Sequence, residues 1–217
     1  MASPEQFFQA IADGDTAMVV SLLASHPGLV RERSPQGASP LLLATYMGKP
    51  EIAAILAQKS DGLDVFEAAA TGDVARVRAL LAEDGSLANA VAPDGFGPLG
   101  LASFFGHTDA ALALVDRGAD VNAASQNSQR VMPLHSAVAG GHYAIARALV
   151  ERGADVNATQ ADDFTPLHGA AQNGEPEMVR LLLGHGANFA ARTGDGRTPR
   201  DMALEEGHAA VADMLAA

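Results

Sequence analysis

The sequence predicts an all-α solenoid, a stack of short helix-turn-helix units in place of one globular core. Two observations carry that reading. Residues 165–192, TPLHGAAQNGEPEMVRLLLGHGANFAAR, can be laid on residues 132–159, 97–124 and 39–57 with almost no adjustment, so the chain is self-similar at a period near 33. With the leucine of the opening Thr-Pro-Leu-His box as a ruler, the equivalent positions are Phe7, Leu41, Val65, Leu99, Leu134, Leu167 and Arg200. Seven residues after each stands a glycine: Gly14, Gly48, Gly72, Gly106, Gly141, Gly174 and Gly207. A glycine there can take the left-handed conformation that closes a helix, so each unit reads as a short inner helix, a sharp turn and a longer outer helix.

The Thr-Pro-Leu-His opening and the Gly-Ala-Asp-Val-Asn ending resemble the ankyrin repeat family. The resemblance implies about seven repeats in one domain spanning residues 1–217, with short β-hairpin fingers between repeats. It also implies that the fingers and the exposed side of the inner helices form a concave groove where partner proteins bind.

Repeat one (3–36) opens on Pro4-Glu5-Gln6 and reads as an N-terminal cap, with Phe7 and Phe8 leaving part of it apolar. In repeat two (37–60) Ser39 can cap the inner helix and Pro40 sits where a helix tolerates a missing N–H. The markers are spaced 34, 24, 34, 35, 33 and 33 residues apart. The short interval falls before repeat three (61–94), where KSDGLD runs straight into the next inner helix, so a finger is expected to be missing between repeats two and three. Ala68 and Ala69 let neighbouring inner helices approach closely.

Repeats one and two map onto three and four (95–129) at a constant offset of 58, as in Gly14 to Gly72 and Pro35 to Pro93, which points to duplication of a two-repeat block. The interval of 35 places extra residues in AASQNSQRV, a longer finger leading into repeat five (130–162). Repeats five and six (163–195) supply Ile145, Leu149 and Val150, then Val179, Leu181 and Leu182, at helical spacing toward the core. Where family fingers usually carry glycine these two have Arg130 and Asp163, which puts their turn geometry in question. Repeat seven (196–217) has Arg200 in place of the buried leucine, followed by Asp201, Glu205 and Glu206, and reads as a C-terminal cap whose polar face stops further stacking.

Composition narrows the function. A formal charge of −12 and a pI near 4.8 disfavour nucleic acid and anionic membranes, which need clustered Lys and Arg, and favour a basic partner. There is no cysteine, hence no disulfide and no thiolate metal site. The N-terminus lacks a basic region followed by an apolar run, and no stretch approaches a membrane span, so a cytoplasmic location is expected. His107, His142 and His208 follow the turn glycine, while His135 and His168 follow the buried leucine. Helices stack roughly 8 to 10 Å apart whereas zinc ligands must lie about 2 Å from the ion, so recurring histidines bridge repeats rather than converge on a metal. No nucleophile elbow, phosphate loop or zinc-protease motif is present. The expectation is a non-enzyme with no cofactor and no metal.

Carried over position by position, the family's groove falls on Tyr46, Met47, Phe104, Phe105, Gln172, Asn173, Glu205 and Glu206 in the inner helices, and on Phe96, Val131, Asp162 and Phe164 at the fingertips. Aromatic residues make up only 5% of the chain, yet Tyr46, Phe96, Phe104, Phe105 and Phe164 all fall on these positions, as expected of a contact surface. Phe104 and Phe105 have a competing reading as filler under the missing finger. The sequence thus predicts a monomeric protein-protein interaction module or regulatory scaffold whose partner binds the concave face. Self-association is the alternative, with a small-molecule or metal site behind it.

Overall fold

The computed structural model describes residues 3–216, in which fourteen α-helices alternate with turns and three short 3-10 helices, and no described residue lies in a strand. The helices run in antiparallel pairs: α1 (Pro4–Asp13) and α2 (Thr16–Ser25), α3 (Pro40–Tyr46) and α4 (Pro50–Lys59), α5 (Val65–Thr71) and α6 (Val74–Glu83), α7 (Pro98–Phe104) and α8 (Thr108–Asp116), α9 (Pro133–Ala139) and α10 (Tyr143–Glu151), α11 (Pro166–Gln172) and α12 (Pro176–Gly184), α13 (Pro199–Glu205) and α14 (Ala209–Met214). Odd-numbered helices stack on one another as an inner layer and even-numbered ones as an outer layer. The glycine ruler holds in detail, since Gly14, Gly48, Gly72, Gly106, Gly141, Gly174 and Gly207 all have positive φ, between 62° and 79°. Elements also recur at the offset of 58: α2 and α6, α3 and α7, and the 3-10 helices Pro27–Arg31 and Gly85–Asn89. Those 3-10 helices replace the Gly-Ala-Asp turn of later repeats.

Capping chemistry changes along the chain. Asp15 and Asp73 accept the N–H groups of Met18 and Arg76, each at 2.9 Å, and so cap α2 and α6. In the next two repeats a histidine occupies that place and reaches sideways instead. The Nε2–H of His107 donates to the Ala70 carbonyl at 3.0 Å, and that of His142 to the Phe104 carbonyl at 2.9 Å. Each bond joins an outer-helix start to the last carbonyls of the preceding inner helix, groups that the helix cannot satisfy internally. The box histidines reach the other way: His135 donates to Phe164 O at 3.1 Å and His168 to Arg197 O at 3.2 Å. The bridging role expected of these histidines is thus made by four side chains.

A second ladder was not foreseen. Asn89, Asn122 and Asn157 each donate to a glycine carbonyl of the next repeat (Gly118, Gly153, Gly186) and accept the N–H two residues further on. The Asn of the Gly-Ala-Asp-Val-Asn ending is therefore a two-pronged lateral staple.

The fingers depart from the β-hairpin expectation. Each is a tight turn spanned by one backbone bond, as in Ser34 N to Ala38 O (2.9 Å), Gln160 N to Phe164 O (3.0 Å) and Thr193 N to Arg197 O (3.0 Å), with a second bond inside it, as in Gly37 N to Ser34 O (2.8 Å), and no described residue forms a strand ladder. Single backbone bonds link successive turns: Gln126 N to Gly95 O, Ala161 N to Gln129 O and Gly194 N to Asp162 O. Arg130, Asp162 and Asp163 sit at φ 52°, 59° and 54°, so the turns keep their shape with residues other than glycine in the left-handed region, a strain of roughly 1 kcal/mol or more each.

Only five residues, 60–64, connect α4 to α5, and the turn before α3 reaches past them to the turn before α7. A Cβ on Gly37 would lie 2.8 Å from Pro93. Pro93 has no N–H, so the backbone bond that ties later turns together cannot form here. The buried side chains divide at the same place. Leu41 and Ala44 of α3 pack with Phe7, Ile11, Val19, Ile52 and Leu56, whereas Leu42 belongs to the cluster that continues to Leu215. Phe7 and Phe8 are both buried, which corrects the expectation of a partly apolar N-terminal cap: they seal the end of the stack.

Candidate binding groove

The side formed by the inner helices and the turns carries a cavity of about 430 Å³ walled by Tyr46, Phe96, Phe104, Val131 and Phe164, with Leu101 and Val138 among its apolar lining. Inner helices α3, α7, α9 and α11 and the turns before α7, α9 and α11 all contribute. Five of the twelve groove positions read from the sequence therefore meet in one place. The floor is kept open by Gly100 and Gly169, glycines inside helices where alanine would be worth about 1 kcal/mol more. A Cβ on Gly169 would stand 3.2 Å from Val138 and 3.4 Å from the Phe164 ring. These helix-interior glycines were the sequence signal for the cavity.

Tyr46 is the structural pivot of the groove. Its hydroxyl donates to Asp94 at 3.0 Å, and its ring packs 5.7 Å from that of Phe105. Burial first, and then the Asp94 charge, push the tyrosine far above its ordinary range, so it stays a donor at every physiological pH. Tyr46 thereby reaches from α3 past the alanines of α5 to the turn before α7 and the end of α7.

Phe104 and Phe105 take different roles. Phe104 is 44% exposed and lines the cavity, whereas Phe105 is half-buried against the core and meets Phe104 edge-on at 5.1 Å. Phe105 thus packs against the core and Phe104 is surface.

The remaining sequence-predicted positions scatter. Asp162 and Gln172 line a neighbouring polar cleft of about 520 Å³, which shares Gln160 and Phe164 with the apolar cavity. Asn173 is engaged with the Val138 carbonyl at 3.0 Å and lies outside the cavity, as do Met47, Glu205 and Glu206. Glu205 is held by Arg197 at 3.1 Å, and Arg197 also grips Asp195 at 2.8 Å, holding that carboxyl down to about 2. Tyr46 and Phe96 also border a third, more open cleft of about 680 Å³, lined by Gln36, Asp94, Gln126 and Gln129, at the place where the flanking turns close over α5.

His135 and Ser136 of the lining were not anticipated. His135 is 4% exposed; burial lowers it to about 4, so it is neutral near pH 7. Its Nδ1 has no protein partner. In α11 the equivalent nitrogen of His168 accepts the N–H of Thr165 at 3.1 Å, with the threonine hydroxyl 2.8 Å away, but Met132 stands in the place of that threonine and brings no hydroxyl. Among the described residues no group of three or more His, Asp or Glu side chains gathers around a possible ion site, and no helix is long and apolar enough to cross a membrane.

The family model for ankyrin repeats (3 copies) matches residues 65–160 and 134–217, together well over half of the chain. Among curated proteins none matches it.

Proposed function

The chain belongs to the ankyrin repeat family, and we propose that it is a non-catalytic protein-interaction module that binds a partner protein on its concave face. Ankyrin repeats are in general modules of protein-protein interaction. The observation that carries the finer reading is the cavity in which aromatic side chains from two turns and two inner helices meet. Interfaces concentrate their energy in such apolar pockets, and an array that is already rigid loses little entropy on binding. In the same reading the chain is one domain of seven repeats with the finger between repeats two and three missing. It acts as a cytoplasmic monomer, an interaction module or regulatory scaffold. The burial of Phe7 and Phe8 weakens the alternative of self-association through a partly apolar N-terminal cap and leaves the aromatic groove as its other surface.

The test is affinity capture from lysate of the source organism, with wild type compared against Phe104→Ser. Phe105 is left intact because it supports the core. A protein retained by wild type and lost by the variant, with helical circular dichroism unchanged, supports the reading. Equal retention by both would place the interface elsewhere.

A further inference from the structure

Resting on the concave-face reading, we propose that the groove's occupant is an extended segment of a partner protein with two adjacent bulky apolar side chains flanked by lysine or arginine. The apolar cavity of about 430 Å³ has room for more than one side chain. Two of its polar groups are engaged, the Tyr46 hydroxyl on Asp94 and the His135 Nε2–H on the Phe164 carbonyl. The His135 Nδ1, Ser136 and Gln160 are the few polar groups left in an otherwise apolar lining, so a bulky polar occupant would be desolvated there with little compensation. The cavity also adjoins two neighbours, sharing Tyr46 and Phe96 with one cleft and Gln160 and Phe164 with the other. A row of adjoining clefts of that kind suits a chain running across several repeats better than one compact molecule.

Charge sets the flanks. Asp94 lies in one cleft and Asp162 and Asp195 in the other. Arg197 is the one arginine or lysine lining any of the three, and it is shared between Asp195 and Glu205. Among the described residues neither Asp94 nor Asp162 has an ion-pair partner. Both ends of the apolar cavity are therefore electronegative, in a chain of net charge −12, and complementarity selects cationic residues on either side of the apolar pair.

The test is selection of random dodecapeptides displayed on phage against the immobilised full chain, followed by fluorescence anisotropy of the enriched sequences as labelled synthetic peptides. Enriched peptides should share adjacent bulky apolar residues with Lys or Arg on both sides. Their affinity should fall about tenfold or more on Phe104→Ser. It should fall comparably when the peptide cations are replaced by Glu, and it should weaken with added salt. Val131→Asp, in a turn outside the helices, should reproduce the loss if Phe104→Ser perturbs folding.

Peptides that depend on Phe104 but tolerate Glu at the flanks would overturn this occupant and leave concave-face binding intact. Peptides indifferent to both variants would overturn both readings. Failure to enrich any peptide would overturn the occupant, and Phe104-dependent binding of the neutral dye Nile red in that case would assign the cavity to a small apolar ligand.

Discussion

From α5 onward, neighbouring repeats are tied by three recurring kinds of directional bond: the asparagine staples, the histidine bridges and the backbone links between turns. Before α5 none of these occurs among the described residues. There the repeats meet through a separate apolar cluster, and the five-residue connection is pinned by Arg31 on Asp61, by Arg33 on Asp64 at 3.8 Å, and by Arg76 on the Leu63 carbonyl at 2.8 Å. The boundary coincides with the start of the family match at residue 65. Apolar burial alone is enough to stack repeats, while the hydrogen-bond ladders add nearest-neighbour coupling. In a one-dimensional array, stability is roughly the sum of repeat and interface contributions, so residues 3–60 should open at lower free energy than the rest.

The largest test of that contrast is His168→Ala. It removes two hydrogen bonds from a buried box, empties side-chain volume and orphans the Thr165 N–H, while the Arg197 carbonyl keeps the Thr193 N–H, so a loss of about 2 to 4 kcal/mol is expected in urea unfolding. A loss below about 1 kcal/mol would show that the ladder adds little to packing.

Acid should act on the two regions in opposite senses. His135 has its folded value lowered to about 4, so the stability it contributes is complete above the ordinary histidine value of about 6.5 and is lost as pH falls toward 4, by up to about 3 kcal/mol. Glu67 is the reverse case at the boundary: burial raises it, against the Ser39 hydroxyl that donates to it at 2.7 Å. Its contribution is therefore complete below about 4.3 and declines as pH rises through the raised folded value. Hydrogen exchange followed from pH 7 to pH 5 should show protection falling in α9 and α11 while the α3 and α5 boundary holds. Uniform loss along the chain would contradict the assignment.

Asn122→Ala should cost about 0.5 to 1.5 kcal/mol, since its two bonds are made in an exposed setting, and should speed exchange at the Asp155 N–H more than at Asp120. Smallest of all is Arg31→Ala. The Arg31 and Asp61 side chains are 75% and 77% exposed, and their pair should contribute no more than about 0.5 kcal/mol. A larger effect would mean that ion pairs do for the N-terminal region what the ladders do elsewhere.

Much of the fold was legible because its signals are local and repeated. The turn glycines mark a backbone conformation that only glycine adopts cheaply, and the 24-residue interval announced a short connection between α4 and α5. The asparagine staples stood in the sequence as a recurring residue but not as a recurring bond, because their partners lie about thirty residues away. Of the candidate site, the aromatic positions could be listed in advance, since register along each inner helix follows from the period. Their sorting could not. Phe104 and Phe105 are adjacent and chemically identical, and what separates them is Tyr46, which crosses α5 from α3 to cover one ring and leaves the other in the groove.

The sequence by itself determined the repeated unit, its caps and turns, the buried faces and the acidic surface, all properties set within one period or by composition. Tertiary structure alone decided which exposed positions converge. The five-residue connection brings Gly37 against Pro93, Tyr46 reaches Asp94 and Phe105, and Gly100 and Gly169 leave room beneath Phe104 and Phe164. A cavity is a sum over side chains from several repeats, and no single period contains it.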